Sequence, residues 1–207
     1  MLRPAGHLVA VTHGAIALFG ALVLRPGMPG AGEPAERMGY VATHAGTWTA
    51  AWLVPPIAAL ALLWLSVELR ARLDETGKDA RLLLALVAVA SGVAIEGSAC
   101  AVAAGALPVL ARAEAASAFL AVERAVGLGT TTFGNAGFTL GQILFTSALG
   151  RAGAPRGVVT FGWLTAGAGL AFMLAGAIGH AAATTAANGA LFVALITFSA
   201  LVARWAK

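Results

Sequence analysis

Apolar runs of about twenty residues constrain this chain more than any other feature of its sequence. Six of them are separated by short polar or Pro/Gly-rich segments, at about 5–24, 43–65, 82–107, 125–149, 158–179 and 190–203. An α-helix of about 20 residues crosses a hydrocarbon layer about 30 Å thick. Inside lipid, helices satisfy their own backbone polar groups. The sequence therefore predicts an all-α fold, a polytopic transmembrane helical bundle with about six spans in one domain, 1–207.

The composition favours burial in a membrane over a soluble fold. Hydrophobic residues make up 59% of the chain and charged residues only 11%, with a mean hydropathy of +0.87. Soluble domains carry about 25% charged residues. The net charge of +4 would suit nucleic-acid binding, but the basic residues are scattered between apolar runs and form no cluster. We therefore expect membrane lipids, and not nucleic acid, as partners.

The lysines and arginines between the apolar runs predict the orientation of the bundle. If the N-terminus is cytoplasmic, the cytoplasmic segments contain Arg3, Arg70, Arg72, Lys78, Arg81, Arg151, Arg156, Arg204 and Lys207. The segments on the other side contain Arg25, Arg37, Arg112 and Arg124. This excess follows the positive-inside rule, so both termini should be cytoplasmic. Richness in Ala, Gly and Val suggests a bacterial inner membrane, and the first span should be an uncleaved helix.

Prolines and charged residues predict where the helices are interrupted. The segment 25–40 is rich in Pro and Gly and should break any helix. Pro55 and Pro56 should kink the second span because proline removes a backbone donor and clashes with the preceding turn. The third span should end before Pro108, and the charged segment 68–81 should lie in water. The sixth span, 190–203, is short, and it could instead start near Ala182.

Glu96 is the first candidate for a functional role because it lies near the middle of the third span. A carboxylate at that depth costs about 3 kcal/mol on insertion scales, so it should face the bundle. Gly92, Glu96 and Cys100 share one helical face, on which small residues would let another helix approach. Glu96 could bind a ligand, handle protons or act as a catalytic acid, and a purely structural hydrogen-bonded glutamate fits the same pattern. Glu123, next to Arg124, should form an ordinary surface pair.

The fourth span carries a stripe of polar residues at three- and four-residue steps. Its members are Thr131, Asn135, Thr139, Gln142 and Thr146. Lipid cannot satisfy these groups, so the stripe should face other helices or a wet cavity. Asn135 and Glu96 could meet in the middle of the membrane. The stripe is thus a candidate ligand-binding surface, and interhelical packing is its structural alternative.

The start of the second span presents an imidazole and two indoles on one helical face, from His44, Trp48 and Trp52. Tryptophan is ordinarily an anchor at the membrane interface; the alternative is an aromatic-walled ligand pocket. His44 and His180 fall near the same surface and could ligate haem b axially. No spacing motif supports haem, and no Cys/His cluster supports zinc. We therefore expect neither a cofactor nor a metal.

The order of these features resembles an uncharacterised bacterial family of six-helix integral membrane proteins, a domain of unknown function. The resemblance depends on Trp48-x3-Trp52, on the polar fourth helix containing Leu140-Gly141-Gln142, and on the basic linker 151–156 with Pro155. It implies a six-helix fold and membrane residence. It transfers no catalytic residue.

Three functions fit the sequence. The first is a non-enzymatic protein that holds a hydrophobic small molecule or a lipid, or that packs as an accessory subunit or homo-oligomer. The second is a proton-coupled transporter or channel that uses Glu96. The third is an intramembrane enzyme acting on an isoprenoid-like substrate, with Glu96 as general acid. We favour the first because the sequence contains no reaction motif.

Overall fold

The computed structural model describes residues 1–74, 77 and 79–205, and every regular element within that part of the chain is helical. Its α-helices are α1 (Leu2–Phe19), α2 (Pro34–Thr43), α3 (Ala45–Trp52), α4 (Val54–Leu73), α5 (Ala80–Arg112), α6 (Ala116–Gly127), α7 (Asn135–Arg151), α8 (Arg156–Ile178) and α9 (Ala181–Trp205). A π-helix, Gly20–Leu24, continues α1 and is followed by a 3-10 turn, Arg25–Gly27. A second π-helix, Leu128–Gly134, joins α6 to α7 and is called the π segment below.

Six helices form a closed ring in the order α1, α4, α5, α7, α8, α9. Each packs against the next, and α9 packs back against α1. Successive helices of the ring run in opposite directions, so one end of the bundle contains the first residues of α1 and the last of α9. We call this the terminal end. The other end, the cap end, carries α2, α3 and α6, of which α2 packs on both α5 and α6.

Five helical stretches are long and apolar enough to cross a membrane. They are Leu2–Gly27, Ala45–Leu73, Ala80–Arg112, Arg156–Ile178 and Ala181–Trp205. The predicted fourth span, 125–149, falls on the end of α6, the π segment and α7. The backbone stays helical from Ala116 to Arg151, but the π segment divides it and leaves α7 with 17 residues.

The terminal half of the bundle is filled by side chains from all six ring helices. The largest of its fully buried members are Val9, Leu65, Leu82, Leu149, Val158, Phe198 and Val202. A second buried cluster near the cap end involves α2, α3, α5 and α6, and includes Trp48, Trp52, Cys100 and Phe119. Without a hydrophobic driving force between helices in lipid, such close packing is itself a main source of association energy.

Pro108 does not end α5, contrary to the sequence prediction. The helix continues to Arg112 with the proline buried inside it. Proline offers no N–H to the carbonyl four residues earlier and pushes that carbonyl away. The Thr49 hydroxyl donates to this Ala104 carbonyl at 2.8 Å, and Trp48 Nε1 donates to the neighbouring Ala103 carbonyl at 3.0 Å. Side chains of α3 thus satisfy the carbonyls that the proline disturbs.

Two further boundaries differ from the prediction. The segment 25–40 does contain helix, because α2 begins at Pro34, where the Glu33 backbone N–H donates to the Glu36 carboxylate at 3.2 Å in a capping box. The last helix begins at Ala181, close to the alternative start near Ala182 and not at residue 190, and is 25 residues long; the uncharged alanine-rich stretch before residue 190 has high helix propensity. The second span is interrupted at Leu53, two residues before Pro55, where a kink was predicted.

Candidate functional site

The polar stripe of α7 packs onto α8 and not onto a cavity. Three threonines fit against three glycines of α8 spaced seven residues apart, in the pairs Thr131–Gly176, Thr139–Gly169 and Thr146–Gly162. A Cβ on any of these glycines would collide with the threonine opposite it. The absence of side chains there lets the two backbones approach closely, as small residues do in membrane helix pairs.

The two amides of the stripe bind the backbone of α8. Asn135 Nδ2 donates to the Gly169 carbonyl at 2.6 Å. Gln142 Nε2 donates to Thr146 Oγ1 at 3.1 Å and to the Gly162 carbonyl at 3.4 Å. The stripe therefore faces another helix, as predicted, but the amide N–H of Asn135 binds α8 and not Glu96.

A different face of α7 packs against α5 through glycines. A Cβ at Gly137 would collide with the Ala88 carbonyl, and one at Gly92 would lie 2.7 Å from the Gly134 carbonyl. At the next contact towards the cap end, a Cβ at Gly134 would lie 3.3 Å from the Cβ of Glu96. These contacts fix the register of the two helices and place Glu96 directly beside the π segment.

Glu96 lies on the face of α5 that packs against the π segment, but its side chain is not fully buried. Gly92 and Cys100, one turn away on either side, are buried, whereas Glu96 is only half-buried. Its carboxylate interacts electrostatically with the Cys100 thiol. Within the described part of the chain, no side chain or backbone group forms a hydrogen bond or an ion pair with Glu96. An acid in this position is therefore turned towards the bundle and unpaired.

The register between the helices also gives the depth of Glu96. Gly134, beside it, lies in sequence between Thr131 of the π segment, which packs on Gly176 of α8, and Thr139 of α7, which packs on Gly169. Gly176 is within one turn of the end of α8 at Ile178. Glu96 is therefore level with the last third of α8 and lies nearer to the cap end than its central position in α5 predicts.

The π segment opposite Glu96 contains three consecutive threonines, Thr130–Thr132, all half-buried. Their hydroxyls donate to backbone carbonyls: Thr130 to Val126, Thr131 to Gly127 and Thr132 to Met173 of α8. Wide π turns are rare and are frequently found at functional sites. We define the Glu96 site as Glu96, Cys100 and the π segment.

The aromatic residues of α3 are part of the packed core. Trp48 is 1% exposed and Trp52 is 5% exposed, with ring centroids 6.0 Å apart, so neither lies at the lipid interface as the anchors expected from the sequence would. Trp48 is held by its bond to Ala103, while Trp52 Nε1 has no partner among the described residues. His44 is separate from them, because it is exposed and stacks on Tyr40 with ring centroids 4.3 Å apart.

The two histidines considered for haem both have local partners. His44 Nδ1 bonds with the Tyr40 carbonyl at 3.0 Å. His180 Nδ1 accepts from the Ala183 N–H at 3.2 Å, which makes it a cap for the first turn of α9. Among the described residues, no three His, Cys, Asp or Glu side chains are grouped as metal ligands would be. Both histidines therefore make local contacts through Nδ1 at helix ends.

A buried ion pair at the cap end was missed by the sequence analysis. Arg37 of α2 pairs with Glu123 of α6, and their side chains are only 7% and 11% exposed. Arg124 reaches the end of α8, where Nη2 donates to the Ala177 carbonyl at 2.9 Å. Burial raises the pKa of the Glu123 carboxyl, and Arg37 opposes that shift. Glu123 and Arg124 therefore join α2, α6 and α8, and the expected surface pair is wrong.

Two surface depressions can be compared with the position of Glu96. A groove of about 580 Å³ between α8 and α9 is lined by residues that include Trp163, Gly167, Ala168, Gly189 and Ala190. A smaller one, of about 270 Å³, lies at the terminal end beside Arg70 and Asp74. The groove is almost entirely apolar, so it suits an acyl chain or an apolar helix face. Glu96 lines neither of them.

The chain matches no known protein family, no curated protein and no solved structure. The resemblance to an uncharacterised family of bacterial six-helix membrane proteins stays a prediction. The functional proposal therefore depends on the geometry of the Glu96 site.

Proposed function

We propose that this protein is a six-span integral membrane protein that binds a hydrophobic small molecule or a lipid at the Glu96 site. The observation that carries the proposal is the Glu96 carboxylate, which is half-buried beside the π segment and has no hydrogen-bond or ion-pair partner among the described residues. An acid inside a membrane-spanning helix costs free energy unless it has a partner. A ligand that supplies the missing partner would offset that cost.

The position of the site favours entry from the cap end. Glu96 is level with the last third of α8, and the π segment beside it is half-buried. The terminal half is closed by the cluster that all six ring helices build, whereas the second cluster, near the cap end, contains no residue of the π segment, α7 or α8. Binding from one side needs no path through that cluster, whereas transport would require it to open. For this reason we place ligand binding ahead of proton-coupled transport and of intramembrane catalysis.

Photolabelling of the purified protein tests the binding proposal. Two diazirine-bearing probes with the same alkyl chain, one a fatty alcohol and one a fatty trimethylammonium, are incubated with the protein in a non-ionic detergent. We expect at least one probe to label α5 around Glu96 and the π segment, saturably and in competition with unlabelled probe. Labelling of the groove between α8 and α9 is the internal reference, because it reports how strongly a probe labels an apolar surface without specific binding. If neither probe labels the site above that reference, the proposed function is wrong.

We further propose that both termini face the cytoplasm of a bacterial cell and that the cap end faces outwards. Of the described basic residues, the terminal end carries Arg3, Arg70, Arg72, Arg81, Arg151, Arg156 and Arg204; Lys78 and Lys207 lie outside the described residues. The cap end carries Arg25, Arg37, Arg112 and Arg124, of which Arg37 and Arg124 are occupied by Glu123 and by α8. The positive-inside rule then favours this orientation. Single cysteines introduced into a Cys100→Ala background, one in the linker 152–154 and one in the segment 30–32, test this orientation. A membrane-impermeant thiol reagent added to intact cells should label the cysteine at 30–32. If it labels the cysteine in the linker instead, the orientation is reversed.

A further inference from the structure

The two acids within the candidate spans have contrasting surroundings. Glu68, near the terminal end, accepts from the N-terminal amine at 3.3 Å and from Trp64 Nε1 at 3.2 Å. Glu96 has no such partner within the described residues. The fold therefore provides a cation and a donor for one intramembrane glutamate and leaves the other available.

The π segment packs on α5 beside Glu96 through glycines. A Cβ at Gly134 would lie 3.3 Å from the Cβ of Glu96, and a Cβ at Gly129 would lie 2.8 Å from the Cβ of Ala99. Thr131 and Thr132 contact α8 instead, at Gly176 and at the Met173 carbonyl. The glycines that face α5 offer the Glu96 carboxylate no side-chain donor.

The nearest basic residues on the cap helices are engaged elsewhere. Arg37 is paired with Glu123, and Arg124 donates to the carbonyls of Gly176 and Ala177. Neither guanidinium neutralises Glu96. The Glu96 site thus presents an acid without a hydrogen-bond or ion-pair partner among the described residues, and its complement is a donor or a positive charge.

We infer that the ligand of the Glu96 site is a lipophilic organic cation whose charged head group pairs with Glu96 while its apolar body lies against the half-buried π segment. This inference rests on the proposed function and adds the chemical class of the ligand. A hard inorganic cation takes six or more oxygen ligands, and the described residues show no group of three acidic or imidazole side chains. An organic cation instead needs one counter-charge and an apolar surface, which the site supplies.

The two photoprobes measure this preference directly, because they differ only in the head group. The measured quantity is the labelling of the Glu96 site divided by the labelling of the groove between α8 and α9. This ratio cancels any difference in how the two probes partition into the detergent. We expect the trimethylammonium probe to reach half-saturation at a concentration at least about tenfold below that of the alcohol, the lower end of the effect seen for close charge pairs. In Glu96→Gln this advantage should disappear, while alcohol labelling persists.

Two further variants separate the charge of Glu96 from general effects. Glu68→Gln removes another intramembrane glutamate and should keep the tenfold preference. Glu96→Asp keeps the charge and should retain part of the preference even if Glu96→Gln folds poorly. Equal labelling by the two probes in the native chain, or an unchanged preference in a folded Glu96→Gln, would overturn the inference and leave the proposed function intact. Displacement of the cationic probe by NaCl but not by KCl at the same concentration would assign the site to sodium and also overturn it.

Discussion

The contact between α3 and the proline of α5 gives the most direct test of the packing. Thr49 donates to the Ala104 carbonyl, which Pro108 cannot serve because it has no N–H. Replacing Thr49 by valine removes the donor and keeps the shape of the side chain. If Pro108 is replaced by alanine, a backbone N–H becomes available to the same carbonyl. The two substitutions should therefore be coupled.

The size of the effect follows from the surroundings of the carbonyl. Interhelical hydrogen bonds in membranes average about 0.6 kcal/mol and reach about 1.7, and a buried acceptor left without a donor costs about 1–3 kcal/mol. We expect Thr49→Val to lower the free energy of unfolding by about 1–2 kcal/mol in the native background. In the Pro108→Ala background, Thr49→Val should lower the free energy of unfolding by about 0.5 kcal/mol or less, because the backbone N–H gained at position 108 replaces the Thr49 hydroxyl as donor. The coupling energy is then about 1 kcal/mol.

The native chain, the two single variants and the double variant form a double-mutant cycle. The free energy of unfolding of each is measured by reversible titration with SDS in mixed micelles, followed by circular dichroism. Thr47→Val is the matched control, because Thr47 Oγ1 donates only within its own exposed turn, to the His44 carbonyl at 2.9 Å; it should change stability by less than about 0.5 kcal/mol. If Thr49→Val costs the same in both backgrounds, the hydroxyl does not substitute for the missing N–H and the explanation for the uninterrupted helix fails.

Two further substitutions probe the other close contacts. Gly137→Ala should destabilise the bundle by about 1–3 kcal/mol, because the added Cβ meets the backbone carbonyl of Ala88. Gly105→Ala is the control, because a Cβ at Gly105 meets no neighbouring atom, and it should be neutral or slightly stabilising in the same SDS titration. Arg37→Ala should cost about 3–5 kcal/mol by leaving a buried Glu123 without its partner. The charge-reversed pair Arg37→Glu with Glu123→Arg should recover part of that loss, and equal instability of the single and double variants would contradict the buried pair.

The sequence was most informative about the character of the long helices. Five of the six predicted spans fall on stretches able to cross a membrane, whereas the fourth falls on the chain divided by the π segment, and the paired prolines indicated the interruption at Leu53. It failed where a boundary depends on a contact made at long range. Pro108 is an ordinary helix terminator in sequence, and only Thr49, on another helix, makes its position inside α5 tolerable. Nothing near residue 108 carries that information.

Part of the interface between α7 and α8 was visible in the sequence. The stripe Thr131–Thr146 was recognisable by its spacing, and the seven-residue repeat of Gly162, Gly169 and Gly176 is an equally readable signal for the partner surface. The partner of Asn135 was not predictable in the same way. It is a backbone carbonyl, and every residue of a neighbouring helix offers one, so the choice depends on the register of the two helices.

The depth of Glu96 shows the same dependence on register. Helix α5 has 33 residues and is about 50 Å long, more than the thickness of the hydrocarbon layer, so the centre of the helix need not lie at the centre of the membrane. The contacts of Gly92 and Gly137 set α5 against α7, and this places Glu96 towards the cap end. An acid at that level can be reached from one side only while the packed terminal half stays closed. The same glycines that allow the helices to approach therefore decide which side of the membrane can supply a partner for Glu96.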